Sequence, residues 1–249
     1  MLQLPAIQGT IDRRILVNYR VDPERIAPLM PAPFRPKLVN GAAISGICLI
    51  RLIGIRPRGL PAICTLSSEN AAHRVAVEWD DDGTTREGVY IMRRDSSSRL
   101  NALLGGRLFP GVLHHARFRV RESDDHFRLT IRSDDGQTSI DVEASLRADL
   151  PATSVFGSLE EASAFFEAGS LGISPGHRPG QFDGMELRAV GWKVEPLTVD
   201  RVTSSFFDRP DVFPPGSVTF DNALLMRRIA HEWHTQPVRH EDGRLRPAS

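Results

Sequence analysis

The chain predicts an α+β, β-rich fold: a large antiparallel, partly closed sheet or barrel with few short helices. Three observations carry this expectation. Strand-like segments dominate the 249 residues, Asp/Ser/Gly turns join several of them, and the helix signals are few and short. No internal repeat or shift in composition marks a boundary, so we expect a single domain over residues 1–235. Residues 236–249, charged and proline-containing, are expected to form a disordered tail.

In order along the chain, Arg14 to Val21 is a strand. Asp22-Pro23-Glu24 then starts a helix of about two turns, because Asp22 can accept from the free amides and Pro23 suits the first helical position. Pro31-Ala32-Pro33 stops it. Gly41 to Ile55 is a long, almost continuously apolar strand, which implies burial on both faces. Val75 to Trp79 and Gly88 to Arg93 flank an acidic turn and predict a hairpin. Ser96-Ser97-Ser98 caps a short helix, RLNALLGG, that ends at Gly105-Gly106.

Three further strands follow, Leu113 to Arg121, Phe127 to Arg132 and Ser139 to Arg147, joined by turns at Ser123-Asp124-Asp125 and Ser133 to Gly136. Leu159 to Ala168 is an amphipathic helix between Ser158 and Gly169. Ser174 to Gly184 reads as a loop by composition. Met185 to Val199 is a long strand with a break near Pro196, and Arg201 to Phe207 is another. Ala223 to His231 is expected to be a helix capped by Asp221 or Asn222.

Composition excludes several functions. Thirty-one basic residues balance 31 acidic ones, so no long-range field gathers nucleic acid or an anionic membrane. The start of the chain lacks a secretion signal, and its best apolar run, Ala42 to Ile50, is too short to span a bilayer. A soluble cytoplasmic protein is the expectation. Cys48 and Cys64 form no CxxC pair and read as buried free thiols. His231-Glu232-Trp233-His234 spaces its histidines three apart, not four, and reads as a helix end rather than a zinc motif. Asp80 to Asp82 is a turn without the remaining ligands of a calcium loop. No dinucleotide, phosphate-loop or serine-hydrolase signature appears, so neither cofactor nor metal is expected.

Several segments, taken in order, resemble one superfamily. NYRVDPERIAPLMPAPF, Ser67-Ser68-Glu69, the segment Arg93 to Phe118 and MELRAVGWKVEPLTVDRVTSSFFDR resemble the acetoacetate decarboxylases. Glu69, Arg74, Gly88-Val89-Tyr90, Ser97 to Leu100 and His115-Ala116-Arg117 are closer to a YqjF-like bacterial family of unknown function within that superfamily. The resemblance implies a sheet-lined cavity and a small-molecule ligand, and it allows a homo-oligomer. It also exposes a departure. Those decarboxylases follow a proline with two lysines, one of which forms a Schiff base; here Pro110 precedes Gly111, Val112 and Leu113. The chain holds only Lys37 and Lys193.

Alternation along Leu113 to Arg121 places His114 with Ala116, Phe118 and Val120, so His114 is expected to point inward. It is either a hydrogen-bonded core residue or, beside Glu69, a general acid or base. Arg51 interrupts an apolar strand: it is paired or faces a polar cavity, or else it reaches outward near the strand end. Arg107 matches the decarboxylase arginine and could hold a substrate carboxylate bidentately, as Arg51 could, or cap helix carbonyls. Lys193, sharing a face with Glu195, is expected to form a surface pair with it, and is otherwise the remaining amine candidate. Two functions follow: an enzyme acting on a small carbonyl or carboxylic-acid compound without a lysine Schiff base, or a non-catalytic small-molecule binder or sensor.

Overall fold

The computed structural model describes residues 6–61, 63, 65–81, 83–99, 111–176, 180–240 and 245–246. Fourteen strands form one sheet. They are β1 (Ile7–Val21), β2 (Arg35–Pro36), β3 (Leu38–Val39), β4 (Ala42–Pro57), β5 (Leu66–Asp81), β6 (Thr84–Ser96), β7 (Leu113–Glu122), β8 (His126–Ser133), β9 (Ser139–Leu146), β10 (Leu171–Pro175), β11 (Gln181–Ala189), β12 (Glu195–Ser204), β13 (Val218–His240) and β14 (Leu245–Arg246). Among the described residues two helices accompany them, α1 (Pro23–Ile26), which runs on into a 3₁₀ turn, and α2 (Leu159–Ala168).

Hydrogen bonding closes this sheet on itself twice. One circuit runs β13–β1–β4–β5–β6–β10–β11 and back to β13. The other leaves β6 through β7, β8, β9 and β12 before returning to β13. Strands β13, β1, β4, β5 and β6 belong to both and form a shared wall. Two pairings, β6 with β7 and β6 with β10, are parallel, so the sheet is mixed.

A wall shared in this way is dry on both faces, and its sequence follows from that. Ile15, Val17, Ile47, Leu49, Val75, Ala223 and Leu225 belong to one apolar cluster, with the inward residues of β8 and β9. Their sequence neighbours Leu16, Cys48, Ala76, Leu224 and Met226 belong to a second cluster, with Phe156, Ala162 and Phe166. The expectation of two-sided burial for β4 holds.

The helix expected at Ala223 to His231 is a strand. ALLM is a short apolar run that helical and two-sided strand periodicities fit equally well, and here each face meets its own core. Strand β13 continues through Gln236 to His240, and β14 pairs with it, so the tail expected to be disordered is drawn partly into the sheet. The loop expected at Ser174 to Gly184 is mostly strand, because β10 and β11 pair antiparallel from Leu171–Glu186 to Pro175–Phe182. The strand expected from Met185 to Val199 breaks earlier than Pro196: β11 ends at Ala189, and Gly191 takes a φ of 74° open to glycine.

Local signals fared better. Asp22 accepts from the Glu24 amide at 2.9 Å. Ser158 caps α2 by accepting from the Glu161 amide at 3.1 Å, and Glu161 in turn accepts from the Gly157 amide at 2.7 Å. The short helix expected after Ser98 lies almost wholly outside the described residues. Among the described residues no helix is long and apolar enough to cross a membrane.

Candidate functional site

The shared wall carries charged groups on both faces, and the two sets differ. On the face of the β7–β9 cluster lies an ion network. Arg13, 2% exposed, donates to Glu69 and to Glu122. Arg51 donates to Glu69 at 2.6 Å, to Asp12 at 3.3 Å and to Glu122. Burial pushes the Glu122 carboxyl up, but Arg13 and Arg51 outweigh it and hold it below the usual carboxylate range. Burial likewise works against Arg51, yet Glu69 and Glu122 raise it above its ordinary value. Arg51 is therefore a paired charge, one of the two readings its position allowed. Both Glu69 oxygens are occupied by arginines.

His114 is not brought to Glu69. Its imidazole is 38% exposed, and its Nδ1 lies 3.3 Å from the Asp135 carboxylate. Strand parity is right further along β7, where Ala116, Phe118 and Val120 pack into the core. At its start, however, β7 runs parallel beside β6, with His114 opposite Asp95, and the β8–β9 turn supplies Asp135. Arg107 lies outside the described residues. Lys193 is exposed in the break between β11 and β12, and Glu195 pairs with Arg227 rather than with it. His231 to His234 lie within β13, not at a helix end, and no group of three potential ligands surrounds a metal position among the described residues.

The opposite face of the wall opens onto a cavity of about 130 Å³. Three arginines line it: Arg14 from β1, Arg74 from β5 and Arg94 from β6. Apolar side chains, including Ile50, Leu52 and Trp233, make up most of the rest, and Gly169, Ser170 and Gly172 keep one side shallow. Glu69, Arg51 and His114 are not among its lining residues.

Among the described residues none of the three guanidiniums forms an ion pair with a carboxylate. Arg74, 3% exposed, donates to the Asn18 carbonyl and stacks over the Phe166 ring of α2 at 5.0 Å, while its Nε has no hydrogen-bond partner. Asn18 passes its own amide to Asn222 at 2.8 Å, and Asn222 donates to the buried Asp221 at 2.6 Å. Arg94 donates to Ser174 Oγ at 3.0 Å. Arg14 donates to Cys48 Sγ at 3.4 Å and lies 5.8 Å from the Trp192 ring. Burial pushes Arg74 and Arg94 down to about 10, so both remain charged at neutral pH. Asp95, at the cavity edge, is already held by Arg93 and Thr138.

A buried cation left without a counter-charge costs several kcal/mol. Arg74 is the buried one here, and the half-buried Arg14 and Arg94 beside it concentrate positive charge around one small cavity. Sequence reasoning missed it. Arg74 figured only as part of the resemblance, and Arg14, Arg94 and Cys48 as site residues not at all. The available signal was the row Asn70, Ala72, Arg74, Ala76, in which small side chains on one strand face leave space beside a single arginine.

The fold is similar to that of acetoacetate decarboxylase-like structures. The structure of acetoacetate decarboxylase from Legionella pneumophila superposes with a TM-score of 0.57 at 11% identity, covering 92% of this chain and 84% of that one. The enduracididine biosynthesis enzyme MppR complexed with pyruvate gives 0.60 at 10% identity, over 98% and 93%. An acetoacetate decarboxylase-like enzyme from Sphingomonas wittichii RW1 gives 0.56 at 10%, over 94% and 91%. The chain belongs to the DUF2071 family, an uncharacterized conserved protein (COG2071), whose family model matches residues 9–165. No curated protein matches it.

Proposed function

We propose that the cavity takes a small carboxylic acid, one that also carries a carbonyl group, and that the protein acts on it without a lysine Schiff base. The observation that carries this reading is the buried Arg74 Nε, a charged donor without a partner beside two further guanidiniums. Size narrows the ligand: 130 Å³ is well below the roughly 300–1,000 Å³ of pockets for drug-sized molecules, so the occupant has only a handful of heavy atoms. The pyruvate bound to MppR, on a similar fold, is of this class. Lys37 pairs with Glu87 and Lys193 is exposed, so neither lysine of the chain lines the cavity.

A second reading, a binder or sensor without catalysis, draws on a separate observation. Among the described residues no histidine or glutamate lines the cavity, and its one aspartate, Asp95, is already held by Arg93 and Thr138, which leaves few groups free for proton transfer. In both readings Glu69 and Arg51 hold the wall together instead of holding the ligand. Mass spectrometry of small molecules that co-purify with the protein tests the common claim. Organic acids are expected with the wild type and are expected to be lost from Arg74→Met. Co-purification of neutral or cationic compounds alone, or equal yields of acid from the variant, would overturn it. Turnover of the recovered acid by the wild type separates enzyme from binder.

A further inference from the structure

Cys48 shares the cavity with the three guanidiniums. It is a free thiol on β4, 8% exposed, and its sulfur accepts the Arg14 Nε–H at 3.4 Å. Register explains the cluster. Cys48 lies opposite Leu16 on β1 and opposite Ala72 on β5, and the arginines two residues on from these, Arg14 and Arg74, are its diagonal neighbours on the same face. A buried cysteine is by default an apolar filler. This one differs because the 3% exposed Arg74, whose guanidinium donates to Asn18 Oδ1 but whose Nε–H has no hydrogen-bond partner, lines the same cavity without a carboxylate bonded to it. A carboxylate drawn in by the arginines brings its neighbouring carbon toward the sulfur.

We propose that Cys48 is a covalent anchor: its thiol adds reversibly to the carbonyl carbon of a 2-oxo carboxylate whose carboxylate is held by Arg74 and Arg94. The inference rests on the carboxylate reading of the cavity and deepens it. In the step, a sulfur–carbon bond forms and the carbonyl π bond opens, while the thiol proton passes to the former carbonyl oxygen. Nothing is oxidised or reduced overall and no co-reactant is consumed; reversal returns the free acid. Negative charge develops on that oxygen as the sulfur attacks, and the Arg14 N–H, already directed at the sulfur, is beside it. The resulting hemithioketal occupies the place that an imine would take in a lysine-dependent site. Unlike an imine it offers no electron sink, so the bound acid keeps its carboxyl group.

The test is ¹³C NMR of pyruvate labelled at the ketone carbon, mixed with the full chain, alongside calorimetry of pyruvate and of propionate, which has no carbonyl. The expected result is a bound carbon moved from the ketone into the sp³ range in the wild type and in Cys64→Ser, and absent in Cys48→Ala. Pyruvate should bind at least about tenfold more tightly than propionate in the wild type, and this preference should collapse in Cys48→Ala. Should that variant not fold, the wild type with its thiols blocked by a small disulfide-forming reagent replaces it. Pyruvate that binds with its ketone carbon unchanged would overturn the anchor and leave the carboxylate site standing. If neither acid binds, both fall.

Discussion

The two faces of the shared wall hold arginines in opposite circumstances. On one, Arg13 and Arg51 are matched by Glu69, Glu122 and Asp12, and every strong cation has its anion. On the other, Arg14, Arg74 and Arg94 converge on a cavity with no carboxylate in ion-pairing reach among the described residues. The chain crosses from one arrangement to the other in single steps, from Arg13 to Arg14 along β1, since successive side chains of a strand point to opposite faces. A charge answered by its neighbours holds the structure together. A charge left unanswered in the same sheet waits for something outside the chain.

The comparison can be broken first on the balanced face. Arg13→Met should destabilise the protein by about 3 kcal/mol, because it removes the buried arginine and leaves Glu69 and Glu122 to share Arg51 alone; urea denaturation measures it. A loss below about 1 kcal/mol would mean that the network contributes little.

Acid comes next. Burial pushes His73, on the balanced side, and His231, on the other, from 6.5 to about 4. A folded-state pKa below the unfolded one means that the unfolded chain binds more protons, so these histidines contribute stability fully above pH 6.5. That contribution is lost as the pH falls from 6.5 toward about 4, at up to about 1.4 kcal/mol per pH unit for each. Denaturation midpoints between pH 7 and pH 5 should fall accordingly. His73→Phe, placed among Phe206 and Phe207, should flatten the slope by about half. An unchanged slope would show that His73 titrates normally.

Arg74→Met should show the converse of Arg13→Met. Carboxylate affinity should drop at least about tenfold by calorimetry, while stability moves by only about 1 kcal/mol, since the lost hydrogen bond to Asn18 is offset by relief of a buried charge. The smallest effect belongs to Lys193→Ala, which should alter stability by less than about 0.5 kcal/mol and leave carboxylate binding unchanged.

How much of this was legible in the chain depends on the range of the interaction. The β5–β6 hairpin, the Asp22 and Ser158 caps and the whole of α2 follow from residues within a few positions of one another, and they were read correctly. Strand β13 was mistaken for a helix because its two-sided burial is a property of the closed sheet, which no local window contains. The same holds for the site. The apolar neighbours of Arg51 left it either paired or reaching outward, and Glu69 decides for the pair. The inward turn of His114 failed because parity fixes the face of a strand but not whether its first residue is covered. The cavity arginines come from three strands: β5 and β6 form one hairpin, but β1 lies far from them along the chain, and only the register of β1, β4, β5 and β6 brings all three together.

Among the described residues three buried arginine Nε–H groups lack hydrogen-bond partners: Arg20, which lies beside the Asp221 carboxylate, Arg13 on the balanced face and Arg74 in the cavity; the last two make the comparison. Their resonances in a ¹H–¹⁵N spectrum, assigned by loss in Arg13→Lys and Arg74→Lys, can be followed during a titration with pyruvate. A saturable shift of the Arg74 signal with the Arg13 signal unmoved is the predicted result. A shift at Arg13 alone, or at neither group when pyruvate is in large excess, would contradict the assignment of the cavity as the anion site.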